Sequence, residues 1–191
     1  MYCRYNGHMT ALALLAQEVG VHERTLRRAL NEGALRARRP SLRTLDLPLS
    51  ERDYVRRSWP LMSALRSALR TEHNVGFALL FGSTARGTDT SDSDVDVLVG
   101  LRDPGLERVV ELGERLTTAS GRPVQVVRLD DVKDEPSFLA DVVTEGRVLV
   151  DRDNLWPGLL SRAAGLRKRA SHEQARRAES ALAGIDQLLA G

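Results

Sequence analysis

The spacing of apolar residues predicts two short helices near the start of the chain. Apolar residues recur at helical intervals over residues 10–19, and Gly20 ends this pattern. A second helical pattern begins near His22 and continues to about residue 31. Farther along, Ser50 is placed to cap a short helix, and Trp59-Pro60 opens another over residues 61–71. We expect Trp59 and Tyr54 to be buried where these helices meet the rest of the chain.

The middle of the chain predicts strands alternating with a helix. The apolar run 77–81 reads as a buried strand that ends at Gly82, and residues 94–99 alternate in polarity as a half-buried strand does. A helix is predicted over 104–119, with an inward face of Leu106, Val109, Val110, Leu112 and Leu116. A strand over 124–129 follows the turn at 121–123. The predicted fold class is therefore α/β (α+β), with a small mixed sheet.

Residues 155–191 predict two further helices, over 159–168 and 172–189. The second carries one apolar stripe, made of Ala175, Ala178, Leu182, Ile185 and Leu189. This segment is too short for a separate nucleotide-binding domain. It packs on the core, forms a homodimer or docks a partner, and core packing is the simplest interpretation.

Composition indicates an ordinary folded protein. The chain has 191 residues, of which 42% are hydrophobic and 28% charged. No apolar run reaches the length of a membrane span, and no signal segment opens the chain, so we expect a cytoplasmic protein that does not enter a membrane. The single Cys3 cannot form an internal disulfide, which agrees with a reducing compartment. The predicted division is 1–57, 58–154 and 155–191.

Charge is distributed unevenly along the chain. Residues 1–73 carry 13 basic and 7 acidic side chains, residues 74–154 carry 9 and 16, and residues 155–191 carry 6 and 3. A basic N-terminal third suggests a polyanionic partner, and an acidic middle agrees with a cation site.

The segment 15–31 resembles the helix-turn-helix of bacterial DNA-binding regulators. Ala16 is small where two helices would cross, and Gly20 can adopt the left-handed conformation of the turn. Val21, Leu26 and Leu30 form the inner face of the second helix. The N-terminal part of this helix would then lie outward, where such motifs read base edges.

This resemblance implies double-stranded DNA, an operator, as a partner. The predicted contacts are Glu23, Arg24 and Arg28 with bases, Thr25 and Arg27 with phosphates, and Arg38 in a wing formed by the basic segment 35–43. The alternative is a pair of amphipathic helices that serves packing or dimerisation.

The residues best suited to bind a ligand lie between positions 78 and 99. Gly82 and Ser83 follow a strand and offer backbone N–H groups and a hydroxyl to a phosphate. Asp94 and Asp96 stand two residues apart on a valine-rich strand, so both carboxylates are expected on one face. Their mutual repulsion favours a divalent cation, and oxygen ligands of this kind suit magnesium on nucleotide phosphates. A plain surface turn would explain the Ser and Thr residues but not the paired aspartates.

The spacing of Gly82-Ser83 and Asp94-x-Asp96, with Arg86-Gly87 between and Ser93 just before, resembles the minimal nucleotidyltransferases, the MNT group of the DNA polymerase β superfamily. This resemblance implies Asp94 and Asp96 as catalytic ligands of Mg²⁺ or Mn²⁺. It implies a nucleotide site formed by Gly82, Ser83, Arg86 and Ser93, with ATP or another NTP as substrate. Arg86 could instead pair with Asp89 or Asp92 at the surface.

One position departs from the family pattern. Family members with three carboxylates commonly place an acid on the strand predicted at 124–129, and this chain has Gln125 there. An amide cannot act as a general base or add negative charge to a second metal. Asp130 and Asp131 follow the strand and are expected in a loop.

Two functional hypotheses follow from these resemblances. The first is a metal-dependent nucleotidyltransferase that transfers NMP, in particular AMP, to a protein or another hydroxyl acceptor and also binds DNA. MNT proteins often pair with HEPN toxins, so this hypothesis describes an autoregulating antitoxin with a HEPN-type partner. The alternative is a transcriptional regulator whose degenerate nucleotidyltransferase domain only binds nucleotide or a partner protein.

Overall fold

The computed structural model describes residues 10–38 and 46–189. Cys3 and the segment 39–43 of the predicted wing lie outside the described residues. The elements in chain order are α1 (Ala11–Glu18), α2 (Glu23–Asn31), α3 (Leu49–Arg70), β1 (Val75–Phe81), α4 (Gly82–Arg86), β2 (Val95–Leu101), α5 (Leu106–Ser120), β3 (Val124–Arg128), α6 (Leu129–Val132), α7 (Pro136–Glu145), β4 (Arg147–Asp151) and α8 (Leu155–Leu189).

The first two helices form where the sequence predicts them. The Thr10 hydroxyl accepts a hydrogen bond from the Ala13 N–H at 3.1 Å and caps α1. His22 Nδ1 caps α2 by accepting from the Arg24 N–H at 3.1 Å. Between them Gly20 takes a φ of 70°, the left-handed conformation that a glycine adopts without strain. Ala16 and Leu26 are buried between these helices and α3.

The third helix corrects the prediction of two helices separated at Trp59-Pro60. α3 is one helix of 22 residues with Pro60 inside it, and Ser50 does not cap it because the helix begins at Leu49 after Pro48. Buried side chains continue along α3 on both sides of the proline. Their packing outweighs the backbone hydrogen bond that a proline removes.

The four strands form one mixed sheet in the order β3-β2-β1-β4. β1 is antiparallel to both β2 and β4, and β2 is parallel to β3. Phe81 lies opposite Asp96 across the first pair, and Asp96 lies beside Gln125 across the parallel pair. The predicted fold class, a small mixed sheet with helices, is confirmed.

The sheet has an apolar core on each face. Val95, Val97 and Val99 pack with residues of α3 and α5 on one face, whereas Leu98 packs with residues of α7 and α8 on the other. Leu112 and Leu116 of α5 are buried as predicted. The prediction was wrong for Leu106 and Val110, whose exposed fractions are 79% and 53%, because the inward stripe of α5 is narrower than its apolar content suggests.

The C-terminal segment also differs from its prediction. α8 runs continuously over 35 residues instead of forming two helices. Residues 169–171 between the predicted helices contain neither proline nor glycine, so nothing in the backbone ends the first helix. The sequence analysis assigned neither α7 nor β4. No helix within the described part of the chain combines the length and hydropathy needed to cross a bilayer.

Candidate functional site

The candidate site begins at the turn between β1 and α4. Gly82 takes a φ of 69° directly after Phe81, which is itself extended. A side chain at this position would collide with the carboxylate of Asp96. Gly82 is therefore required twice, by its backbone conformation and by the close approach of the turn to that aspartate.

The two predicted metal ligands lie together at the start of β2. Asp94 immediately precedes the strand instead of belonging to it, and Asp96 is its second residue. Burial and then the charge of Asp94 raise the pKa of the Asp96 carboxyl, and Arg86 acts in the opposite direction. A carboxyl whose ionised form is disfavoured by burial and by a neighbouring carboxylate suits a cation, which would relieve both effects. The described residues contain no group of three acidic, histidine or cysteine side chains placed to hold a metal.

Gln125 occupies the place beside this pair that the family pattern gives to a third acid. It is the in-register neighbour of Asp96 on the adjacent parallel strand, so both side chains lie on the same face of the sheet. Asp130 and Asp131 do not replace it. They lie in α6 instead of the predicted loop, and Asp131 pairs with Arg128 at 2.6 Å.

Arg86 does not make the predicted surface contacts with Asp89 or Asp92. Its guanidinium donates to Glu145 of α7 at 2.6 Å and remains near enough to Asp96 to oppose the rise in its pKa. Asp89 pairs instead with Arg122 at 2.7 Å. Ser83 lies in the first turn of α4, where its carbonyl accepts the N–H groups of Gly87 and Thr88.

Arg122 is a functional candidate that the sequence analysis missed. Besides Asp89, it donates to the carbonyl of Ser93 at 2.6 Å and to that of Thr90 at 3.3 Å. The Ser93 hydroxyl accepts the Thr90 N–H at 3.0 Å, so this side chain closes the loop. Arg122 thus fixes the loop that leads into Asp94. A single arginine in a turn has no periodic signal from which this role could be predicted.

A buried polar network supports the turn from behind. Arg147 and Glu51 are 2% and 5% exposed and form two hydrogen bonds, of 2.6 and 3.0 Å. Arg147 also donates to the carbonyl of Ala85 in α4 at 2.7 Å, and its guanidinium carbon lies 3.4 Å from the ring centroid of Tyr54. Burial raises the pKa of the Tyr54 phenol to about 12. The network joins α3, α4 and β4.

The predicted DNA contacts are dispersed around α2. Arg27 pairs with Glu23 on one side of the helix, and Arg28 pairs with Glu32 at 2.6 Å. Arg24, Thr25 and Arg28 line a cleft against α3, β4 and the start of α8. The backbone of Arg38 forms an antiparallel bridge with Asp46.

Comparison with known proteins gives a family match over the sheet. The profile described as Polymerase beta, Nucleotidyltransferase matches residues 63–155. A protein of Methanocaldococcus jannaschii, named provisionally as a protein adenylyltransferase, is 32% identical over 106 residues. That alignment covers 48% of this chain and 69% of the relative.

Solved structures include toxin–antitoxin complexes among the similar chains. One, crystallised with AMP-PNP, is 25% identical at a TM-score of 0.49, over 67% of this chain and 98% of that one. Another is from the complex of a tri-AMPylated HEPN toxin of Shewanella oneidensis with its MNT antitoxin. It is 23% identical at a TM-score of 0.45, over 68% and 96% of the two chains.

Proposed function

Because this chain belongs to the polymerase beta nucleotidyltransferase family, we propose that it transfers AMP from ATP to a hydroxyl group on a protein. The observation that carries the proposal is the close approach of the Gly82 turn to Asp96, with Asp94 beside it. A backbone turn next to two carboxylates supports this proposal, because a metal-bound triphosphate requires phosphate contacts beside metal ligands.

Asp94 and Asp96 are the residues that would hold the cation, Mg²⁺ or Mn²⁺. When bound, such an ion neutralises charge on the phosphates of the nucleotide. The fit rests on this structure, because burial and the neighbouring Asp94 disfavour the charge of Asp96 in the absence of a cation. Gly82 and Ser83 would bind the phosphates from the turn, and the loop fixed by Arg122 would keep Asp94 in place.

The proposed reaction is a substitution at the α-phosphorus. A bond forms between the acceptor oxygen and that phosphorus, the bond to the bridging oxygen of the β-phosphate breaks, and pyrophosphate leaves. The hydroxyl proton passes to solvent, since the amide of Gln125 cannot accept it. Positioning and charge neutralisation then supply most of the rate enhancement.

The nature of the acceptor is inferred from the relatives. The provisional name of the Methanocaldococcus jannaschii relative, protein adenylyltransferase, supports AMP as the transferred group and a protein as its acceptor. The resemblance to MNT proteins points to a HEPN-type toxin as that protein. In this reading the chain acts as an antitoxin by modifying its partner.

The experiment combines the protein, labelled ATP and the product of a neighbouring gene, with magnesium or with chelator. Asp94→Asn or Asp96→Asn should weaken metal-dependent ATP binding by about tenfold, or about 1.4 kcal/mol, because each removes one of two charged ligands. Asp92→Asn is the matched control, since it makes the same charge change in the adjacent loop. Equal binding by Asp92→Asn and the Asp94, Asp96 double Asn variant would refute the metal site.

The second candidate function is regulation through DNA binding by residues 1–57. It is favoured by the turn at Gly20 between two capped helices and by the exposed arginines of α2. Arg24→Ala should remove discrimination between operator and random duplex, whereas Arg38→Ala should weaken both and lower the salt dependence. If neither variant changes binding to the gene's own promoter, the helix-turn-helix serves packing.

A further inference from the structure

A concave site lies apart from the Gly82 turn, beside β4. It is a cleft of about 900 Å³ between α2, α3, β4 and the start of α8. None of Gly82, Asp94 or Asp96 lines it. β4 is the edge strand of the sheet, and β1 separates it from the strand that carries Asp96. The cleft is therefore distinct from the proposed nucleotidyl-transfer site.

The cleft is strongly cationic. Its lining includes Arg24, Arg28, Arg66, Arg70 and Arg152, against the acidic side chains of Glu32 and Asp151. Both acids are engaged: Glu32 pairs with Arg28 and Arg66, and Asp151 accepts the N–H groups of Leu155 and Trp156 at 2.8 and 3.0 Å. The lining thus has an excess of three positive charges.

The arginines of the cleft differ in whether their side chains already donate hydrogen bonds to other residues. Arg152 donates to the carbonyls of Leu69 and Arg70 at the end of α3, which is a structural role. Arg66 donates to the Val148 carbonyl at 3.1 Å. Within residues 10–38 and 46–189, by contrast, the side chains of Arg24 and Arg70 form no ion pair or hydrogen bond. Both line the cleft, and the described residues leave the donors of their guanidinium groups available to a ligand.

The wall of the cleft also contains a buried tryptophan. Trp59 lines the cleft and is 5% exposed, yet its indole N–H has no acceptor among the described residues. This N–H is itself enclosed by protein atoms, so a ligand in the cleft does not reach it. The cationic side chains of the lining are therefore what calls for an oxygen-rich anion.

The size of the cleft decides between a small anion and duplex DNA. A volume of about 900 Å³ lies within the range of small-ligand sites, roughly 300–1,000 Å³. A duplex is too large to enter a cleft of this volume, and Arg24 and Thr25 form part of its concave wall. A duplex bound to the exposed face of α2 and a small ligand in the cleft would therefore compete for Arg24. We propose that this cleft binds a small polyphosphate compound, of the inorganic triphosphate or nucleoside polyphosphate class, in contact with Arg24 and Arg70.

The chain contains a direct reporter for this site. Its two tryptophans, Trp59 and Trp156, both line the cleft. Titration of the full chain with inorganic triphosphate in EDTA should change the intrinsic tryptophan emission with one-site saturation. Chelation keeps metal-dependent binding at Asp94 and Asp96 out of the signal. A parallel titration with ATP in EDTA shows whether a nucleoside adds affinity, which separates inorganic from nucleotide ligands.

Charge-matched variants test the assignment. Arg24→Ala and Arg70→Ala should each weaken triphosphate binding by about tenfold, the loss of one charge-assisted contact. Arg27→Ala is the control on the same helix, because Arg27 pairs with Glu23 and does not line the cleft. Thermal midpoints equal to that of the unmodified protein verify folding, since Arg24 and Arg70 are exposed.

Each contrary result has a defined meaning. No saturable change in emission, or an equal loss with Arg27→Ala, would overturn the proposal, the latter because binding would be diffuse electrostatic attraction. Loss of the EDTA signal with Asp94→Asn would assign it to the nucleotidyl-transfer site. Binding of a single-stranded or duplex oligonucleotide more tightly than triphosphate, with the same dependence on Arg24 and Arg70, would replace the small ligand by nucleic acid.

Discussion

Glu51→Gln should destabilise the protein far more than an ordinary charge removal. The substitution preserves the size of the side chain but leaves the guanidinium of Arg147 charged and 2% exposed without its carboxylate. Removal of one partner from a buried ion pair costs about 3–5 kcal/mol. Domains of this size are stable by about 5–15 kcal/mol. The loss of one negative charge at Glu51 should therefore remove a large share of the free energy of unfolding.

The assay is urea unfolding followed by circular dichroism. A loss of about 3 kcal/mol lowers the urea midpoint by about 1 M or more. Glu111→Gln is the control, because Glu111 pairs with Arg108 at 2.8 Å on the surface, where both side chains are more than half exposed. Exposed pairs contribute about 0–1 kcal/mol, so this variant should unfold close to the unmodified protein.

A double-variant cycle separates the ion pair from the general effect of altering the core. Arg147→Met alone leaves Glu51 charged and buried, whereas the double variant removes both charges. The double variant should therefore cost less than the sum of the single losses, by about 2 kcal/mol. The double variant does not regain the full stability of the unmodified protein, because the Ala85 carbonyl loses its 2.7 Å hydrogen bond from Arg147. An unsatisfied buried acceptor costs about 1–3 kcal/mol. Additive losses, or a Glu51→Gln loss no larger than that of Glu111→Gln, would refute the reasoning.

Two further predictions concern the proposed nucleotidyl-transfer site. Gln125→Asp places a carboxylate beside Asp96 and should raise transfer by about a hundredfold if a general base is limiting, measured as label released or transferred; an unchanged rate would show that two carboxylates suffice. The raised pKa of Asp96 means that the metal-free folded state holds this proton more tightly than the unfolded state, so ionised Asp96 costs stability above that pKa and the cost disappears as the pH falls through it. Asp96→Asn should accordingly raise the thermal midpoint in EDTA at neutral pH, and the gain should shrink as the pH falls toward the ordinary pKa of an aspartate, about 3.9. A gain that is independent of pH would contradict this cause.

The sequence predicted those parts of the fold whose signals are local. Caps, turn glycines and alternating polarity locate α1, α2, β1 and β2 within one or two residues. The proximity of Gly82, Asp94 and Asp96 could be predicted because a strand, a turn and a second strand fix their positions within 15 residues of chain.

Features that depend on distant packing could not be predicted in this way. β4 begins with Arg147, and a charged residue is not expected in a buried strand. Its burial is explained only by its ion pair with Glu51, which lies 96 residues away in the sequence. Pro60 indicated a helix start because proline breaks isolated helices, but buried contacts along α3 hold the helix together. The clamp by Arg122 joins residues 29 to 33 positions apart and likewise leaves no pattern in the sequence.

The continuity of α3 has a consequence for how this protein could have been assembled by recombination. Its first half carries Glu51, Tyr54 and Val55, which pack against or pair with the catalytic part, and its second half packs on α5 and β4. A gene exchange at the predicted boundary after residue 57 would divide one helix and separate Glu51 from Arg147. A replacement N-terminal module can join this catalytic unit intact only if the crossover falls before Leu49, so that α3 is inherited whole.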